Sequence, residues 1–405
     1  MLPRLMSVYL EKILAHGKMA FLSGPRQVGK TTLARQVQKT FPQSLYFNWD
    51  IITDQKRLHK NPYFFEEADR DAGKPFLVVL DEIHKYARWK NYLKGAYDGY
   101  QRDFRFLVTG SGRLDLFKKG GDSLMGRYLS APLFPLSVGE LSGSLPSWTQ
   151  FQESLQDPPP LKSGVAQAFG ALFRFSGFPE PFSKADAGFY NAWFQERKSA
   201  LVREDIRNAA NIREISLMET LSHLVPDKVG APLSINSLKE DVGVSFESVR
   251  DWLLLLEQFF YMFRIAPFAG SLARTLRKES KAYLYDWVEV QQESFRFENM
   301  VALHLQKAVQ TWRAMGDGDI GLYYVRDRDK REVDFLLTER KRPVCLIECK
   351  LSDTAVSPAL TYYQDRLRVP TAVQLVRAGG YCRKTGRAGS TQWVISADRW
   401  LDMLP

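Results

Sequence analysis

Residues 19–23 form a short apolar run that stops at a glycine-rich loop, and the stretch from Thr31 to Thr40 behind it has helical spacing. Residues 45–49, 76–80 and 104–109 are further apolar runs, with helical stretches between them. Short buried strands alternating with helices predict a parallel sheet covered by helices on both faces, and the pattern holds to about Leu141. Residues 142–160, SGSLPSWTQFQESLQDPPP, are rich in Ser and Pro and predict a linker or lid connection. From Leu161 to about Val225 the pattern is mostly helical, with Phe169, Phe173, Phe189 and Trp193 at the spacing of a packed helix face.

The character changes at residues 231–285. Residues 234–242 predict a short helix, Gly243-Val244-Ser245 a tight turn, and residues 246–260 a second helix. Ser245 is placed to cap that helix, because a serine oxygen accepts from the free N–H groups of a first turn. Val249, Trp252, Leu253, Leu256 and Phe260 fall on one face of it. Two helices joined by a glycine turn make a helix-turn-helix candidate, and the following LARTLRKESKAYLYD predicts a β wing. The last section opens with a helix over residues 295–310. Strands follow at 322–325, 332–338 and 344–351, then a helix with Pro at its start over 358–367, and strands at 371–376 and 393–396. Four sections result: residues 1–145, a parallel α/β core; 146–228, linker and helical lid; 229–286, a winged helix; and 287–405, a further α/β domain.

The chain has 405 residues with 45% hydrophobic and 25% charged content, enough for several packed domains. No apolar run approaches the ~20 residues that span a bilayer, so no membrane partner is expected. The first residues are charged throughout and lack the apolar segment of a signal peptide. Three cysteines, Cys345, Cys349 and Cys382, give no disulfide framework and no zinc-ligand spacing. A cytoplasmic protein is expected. Lys+Arg 56 against Asp+Glu 46 gives a net charge of +10, which favours polyanion partners and suits nucleic acid, though many basic proteins bind none.

Residues 24–31, GPRQVGKT, satisfy G-x-x-x-x-G-K-[ST]. Gly24 and Gly29 let the loop through Pro25, Arg26, Gln27 and Val28 curl so that backbone N–H groups point inward at phosphate oxygens. The helix behind the loop adds its positive dipole end. Lys30 is placed for the β/γ-phosphates of ATP and Thr31 for Mg²⁺, with Thr32 next to them. The strand at 76–80 ends in Asp81-Glu82. Asp81 is expected to hold Mg²⁺ through water, and Glu82 to polarise the attacking water as general base. The strand at 104–109 runs into Gly110-Ser111-Gly112, so Thr109 and Ser111 are candidates to sense the γ-phosphate, unless they serve only the turn.

These pieces resemble the AAA-type P-loop ATPases of prokaryotes, most of all the subgroup with GPRQVGKTT and a Walker B reading LDEI. Segments like Leu124-Met-Gly-Arg127 and Pro135-Leu-Ser-Val-Gly-Glu140 also occur in that subgroup. The resemblance implies an arginine finger role for Arg127, in cis or from a neighbour in a homo-oligomer.

The C-terminal section carries a second set of charged residues. Glu348 and Lys350 share one face of the strand VCLIECK, and Asp334 lies on the preceding strand. Antiparallel pairing would bring Asp334 beside Glu348. Glu298 lies on the helix before them. This set resembles the PD-(D/E)XK nuclease fold, with Val333 where that fold often has proline. The resemblance implies metal-dependent phosphodiester hydrolysis: Asp334 and Glu348 binding Mg²⁺, Lys350 orienting water, Glu298 as the helical glutamate. An ATPase followed by a winged helix and such a restriction-endonuclease-like α/β domain accounts for nearly the whole chain.

Arg274, Arg277, Lys278 and Lys281 crowd the expected wing. They suit contacts to phosphates without base reading. Alternatively that segment, with Tyr283, Tyr285 and Asp286, packs the winged region on the C-terminal section. Three functions stay open: an ATP-dependent switch or motor acting on nucleic acid, DNA above all; a nucleotide-controlled signalling or scaffolding module whose last domain binds a protein partner; and a transcription regulator working through the helix-turn-helix.

Overall fold

The computed structural model describes residue 2 and residues 4–110, 112, 124–207, 214–269, 279–386 and 390–405. It divides into two compact units, one of residues 4–134 with 258–260, the other of residues 135–257 and 261–405. Among the described residues no helix is long and apolar enough to cross a membrane.

The first unit is built on strands β1 (Met19–Ser23), β2 (Ser44–Asn48), β3 (Phe76–Asp81), β4 (Phe104–Gly110) and β5 (Tyr128–Pro132). They form one sheet in the order β2-β3-β4-β1-β5, with parallel pairing throughout. Helices α1 (Met6–Ala15), α2 (Lys30–Thr40), α3 (Ile52–Lys60) and α4 (Trp89–Tyr100) surround it. Every residue of β1 and β3 is buried, as the continuous apolar runs require of strands covered on both sides. On one face Phe21, Val78, Leu80, Phe106 and Val108 pack with Leu93, Ala96 and Tyr97 of α4. Each such side chain contributes on the order of 1.5–3 kcal/mol on burial, so the sheet is a rigid support for the loops at its carboxyl edge.

The second unit opens with helices α5 (Val138–Ser142), α6 (Trp148–Ser154), α7 (Val165–Phe175), α8 (Pro179–Lys184) and α9 (Ala187–Ala200). Helix α6 falls inside the expected linker. A capping box between Ser147 and Gln150 starts it, and Trp148 and Phe151 pack against Trp312. Helices α10 (Ile215–Leu224), α11 (Ile235–Val242) and α12 (Phe246–Gln258) follow. The expected turn is present: Gly243 ends α11 in the left-handed region, and the Ser248 N–H donates to Ser245 Oγ. Strands β6 (Met262–Ile265) and β7 (Lys281–Leu284) then pair antiparallel. Arg274, Arg277 and Lys278 lie outside the described residues.

Helix α13 (Glu293–Met315) leads into a six-stranded mixed sheet, β12-β13-β11-β10-β9-β8. Its strands are β8 (Ile320–Arg326), β9 (Glu332–Glu339), β10 (Arg342–Lys350), β11 (Thr371–Val376), β12 (Cys382–Thr385) and β13 (Thr391–Ser396). Helix α14 (Pro358–Leu367) crosses between β10 and β11, and its Leu360 and Tyr363 bury Val325, Val333, Leu336 and Leu346 of the sheet. Helix α15 (Ala397–Leu401) follows β13. The segment Pro135–Glu140 belongs to this unit. Glu140 is buried and its carboxylate meets the Lys307 ammonium of α13 at 2.6 Å.

Candidate functional site

The loop between β1 and α2 stands at the carboxyl edge of the parallel sheet. Gly24 has no room for a side chain, since a Cβ there would lie 2.4 Å from the Leu133 carbonyl oxygen. Gln27 and Gly29 take positive φ values of 64° and 97°, which curls the backbone as a phosphate cradle requires. Arg4 braces the loop from outside, donating to the Val28 carbonyl at 2.8 Å and to the Phe134 carbonyl. Lys30 is buried, and its ammonium donates to the carbonyls of Gly24 at 3.0 Å and Pro25 at 2.8 Å. The cation therefore hangs across the cradle it is expected to serve.

Asp81 ends β3 beside this loop. Thr31 donates its hydroxyl to Asp81 Oδ2 at 2.9 Å. Tyr46 of β2 donates to the same oxygen, and Thr109 of β4 donates to Oδ1. The Trp49 amide donates to the Asp81 carbonyl at 3.0 Å. Three strands and the P-loop helix thus converge on one carboxylate. The Arg35 guanidinium of α2 lies 3.1 Å from the Tyr46 ring centroid, which fixes the ring. Burial, and then the Asp81 carboxylate, push the Tyr46 phenol well up, so it stays a donor. A hydroxyl and a carboxylate side by side are the hard oxygen donors Mg²⁺ prefers, so the Thr31–Asp81 pair fits the ion.

Glu82 follows with φ 56°, a left-handed backbone that a non-glycine residue rarely adopts. Its carboxylate faces Lys85 at 3.4 Å and His84 at 3.7 Å, and Lys85 also pairs with Asp50 at 2.7 Å. Burial raises the Glu82 carboxyl above its ordinary range, in the direction a general base at neutral pH requires. Thr109 accepts from the Glu82 amide at 3.4 Å, so its hydroxyl ties Asp81 to Glu82. Ser111 lies outside the described residues.

Arg127 is not at this edge. Its carbonyl accepts from the Met19 amide, at the start of β1, whereas the P-loop leaves the end of that strand. Its guanidinium holds Asp98 with two bonds of 2.7 and 2.9 Å. The length of β1 separates it from the cradle, roughly 16 Å for five extended residues, so it does not serve as a finger in cis.

In the second unit, β9 and β10 pair antiparallel with Phe335 opposite Ile347, which brings Asp334 beside Glu348 as expected. The Cys349 amide donates to Asp334 Oδ2 at 2.9 Å, and Lys350 donates to Glu348 Oε1 at 2.8 Å. Glu348 Oε2 is buried without a partner. Burial, with the Asp334 charge second, raises the Glu348 carboxyl to about 7 and that of Glu298 to about 8.

Of the two readings of the segment around Lys281, an exposed phosphate-contacting wing or a packing contact with the C-terminal section, the second describes it: Lys281 is fully buried on β7. The backbone pairing of β7 with β6 turns its side chain inward, and its ammonium meets Glu298 at 3.1 Å, Glu332 at 2.5 Å and Asp334 at 3.6 Å. Burial would push its pKa down, but these three carboxylates outweigh burial and hold it above the ordinary lysine range. The Asp334 oxygens thus face a lysine and a backbone amide. Among the described residues no three His, Cys, Asp or Glu side chains stand where they would share a metal ion. Of the expected Mg²⁺ pair, Asp334 is engaged at both oxygens while Glu348 keeps Oε2 without a partner. Nothing in the sequence near Lys281 signals this, because its partners come from α13 and β9. Leu284 and Asn299 exchange two 2.8 Å hydrogen bonds, so this segment packs the β6–β7 pair on α13.

Comparison with known proteins matches three parts of the chain. Residues 16–142 match a family model described as an AAA domain, residues 167–287 one of unknown function (DUF8612), and residues 294–391 another of unknown function (DUF4143). An uncharacterized protein of Mycobacterium tuberculosis is 22% identical over 334 residues, spanning 78% of this chain and 69% of that one. One of Methanocaldococcus jannaschii is 23% identical over 302 residues, spanning 72% of this chain and 65% of that one. Among solved structures, a Walker-type ATPase of Pyrococcus abyssi is 15% identical, covering 72% of this chain and 95% of its own, with a TM-score of 0.43. The Orc1 protein of Aeropyrum pernix, solved in complex with DNA, is 15% identical, covering 75% and 94%, with a TM-score of 0.32.

Proposed function

With an AAA-type P-loop ATPase domain at its N-terminal end followed by two domains of unassigned role, we propose that this chain is an ATP-hydrolysing switch or motor that acts on nucleic acid. The observation that carries the ATPase half is the convergence of Lys30, Thr31, Asp81 and Glu82 at one sheet edge. On ATP binding, Lys30 gives up the Gly24 and Pro25 carbonyls and turns its ammonium to the β/γ-phosphates. Thr31 and Asp81 would hold Mg²⁺, which would supply positive charge against that developing on the phosphates. Glu82, with its pKa raised by burial, takes a proton from the attacking water once Lys85 yields. The nucleic-acid half is supported by the net charge of +10 and by the helix–turn–helix of α11 and α12. The test is ATP turnover with and without assorted DNA and RNA. Lys30→Ala is expected to abolish turnover, and one class of nucleic acid to stimulate the wild type. No stimulation, with no salt-dependent binding, would overturn the nucleic-acid half and leave the ATPase half standing.

A second reading has a specific observation behind it. The succession α13-β8-β9-β10-α14-β11, with Asp334, Glu348 and Lys350 on its middle strands, supports a PD-(D/E)XK-like fold for the last section. The Lys281 ammonium among its carboxylates favours a domain that cuts no DNA. The protein is then a nucleotide-controlled scaffold whose C-terminal domain binds a protein partner. Metal-dependent cleavage of linear or branched DNA, lost in Lys350→Ala, would overturn this second reading.

A further inference from the structure

We infer that Lys281 is the resident cation of the C-terminal carboxylate cluster, and that this cluster works with the lysine in place of a divalent metal. The inference deepens the scaffold reading of the last domain and does not rest on the ATPase half.

Three carboxylates stand around one ammonium, at the spacing it sets and not at that of a shared metal ion. Glu298 comes from α13, Glu332 and Asp334 from β9, and the Lys281 ammonium stands between them at 2.5–3.6 Å. Carboxylates gathered this closely repel one another unless a cation stands among them, so the position demands positive charge. An ammonium group and a metal ion cannot share it. Mg²⁺ needs oxygens at about 2.0–2.1 Å, and the lysine nitrogen already fills the space those oxygens face.

The surroundings are built for the lysine. The Tyr324 ring centroid lies 5.6 Å from its nitrogen, and Tyr283 donates to the Glu298 oxygen that also faces the ammonium. Arg326 holds Glu332 from the other side at 2.8 Å. Backbone pairing fixes the stem, because Lys281 is bridged to Pro232 and opposite Ile265 on β6. Leaving such a buried cluster with one charge removed is strongly destabilising, so the lysine also clamps β7 to α13 and β9.

Mn²⁺ is the probe, measured by calorimetry and electron paramagnetic resonance on the full chain without nucleotide, in a Lys30→Ala, Asp81→Asn background that removes the P-loop's cation and its metal-binding carboxylate. The parent is expected to take up no Mn²⁺ in stoichiometric amount. Lys281→Met, of nearly equal length and without charge, is expected to take up one Mn²⁺ per chain and to lose it again with Asp334→Asn. Uptake by the parent that Asp334→Asn removes would overturn the inference. A folded Lys281→Met that takes up none would overturn it too. Where Lys281→Met fails to fold, the parent and Asp334→Asn measurements still decide the matter. ATP turnover of the chain with Lys30 and Asp81 intact is unaffected by either result, so failure here is distinct from failure of the ATPase reading.

Discussion

Asp81 shows how much one carboxylate can depend on its neighbours. Its Oδ2 accepts from Thr31 and from Tyr46, and its Oδ1 from Thr109. With Thr31 turned to a metal ion, as proposed, Tyr46 and Thr109 would keep Asp81 aimed. A hydrogen bond to a charged group contributes roughly 1.5 kcal/mol, which is about tenfold in an equilibrium constant. Tyr46→Phe keeps the ring under Arg35 and deletes only the hydroxyl. It is expected to raise the Mg²⁺ concentration for half-maximal ATP hydrolysis by about that factor, with a smaller change at saturating metal. An unchanged Mg²⁺ titration would remove Tyr46 from the site. Tyr46 was not legible in the sequence, because SLYFN reads only as a strand. Lys30, Thr31, Asp81 and Glu82 were legible, because their chemistry is written in local spacing.

The same contrast holds for whole elements. Strands β1, β3 and β4 stand where continuous apolar runs place them, since burial on both faces leaves no polar alternation to confuse the reading. Strand β5 was missed because at the sheet edge only its Ala131 is buried. Strand β12, exposed from Cys382 to Lys384, gave no apolar signal either. Helix α1 buries Leu10, Ile13 and Leu14, but its interspersed charges speak only against a signal peptide and hide the packed face. Helix α6 was hidden by the prolines flanking it. The P-loop also depends on an edge element invisible in its own motif, for the Leu133 carbonyl beyond β5 presses on Gly24. Gly24→Ala forces the loop or that carbonyl to move. Overpacking of this kind costs about 1–3 kcal/mol, so ATP affinity is expected to fall about tenfold or more, read by calorimetry, with the circular dichroism spectrum retained.

At the scale of the molecule, the second unit carries a pH dependence of its own. His304 is buried on α13, with Nδ1 against the Met300 carbonyl and Nε2 accepting from the Val138 amide. Burial, with Lys307 nearby, lowers its pKa from 6.5 to about 4. A folded-state pKa below the unfolded value means that the stability it contributes is present above pH 6.5 and is lost as pH falls toward 4. The full span corresponds to about 3 kcal/mol. The raised carboxyls of Glu298 and Glu348 work in the opposite sense, losing stability as pH rises, and cancel when wild type is compared with His304→Gln at each pH. In urea denaturation the advantage of the wild type is expected to shrink between about pH 7.5 and about pH 5. A constant gap would contradict a buried neutral imidazole. Light absorption offers a separate handle on the other unit. Of nine tryptophans only Trp49 and Trp89 belong to residues 4–134. Trp49 lies beside Tyr86 and hangs by its amide from the Asp81 carbonyl. In a Trp89→Phe chain its emission becomes that unit's sole indole signal, a built-in lamp placed one residue's reach from the carboxylate on which Thr31, Tyr46 and Thr109 converge.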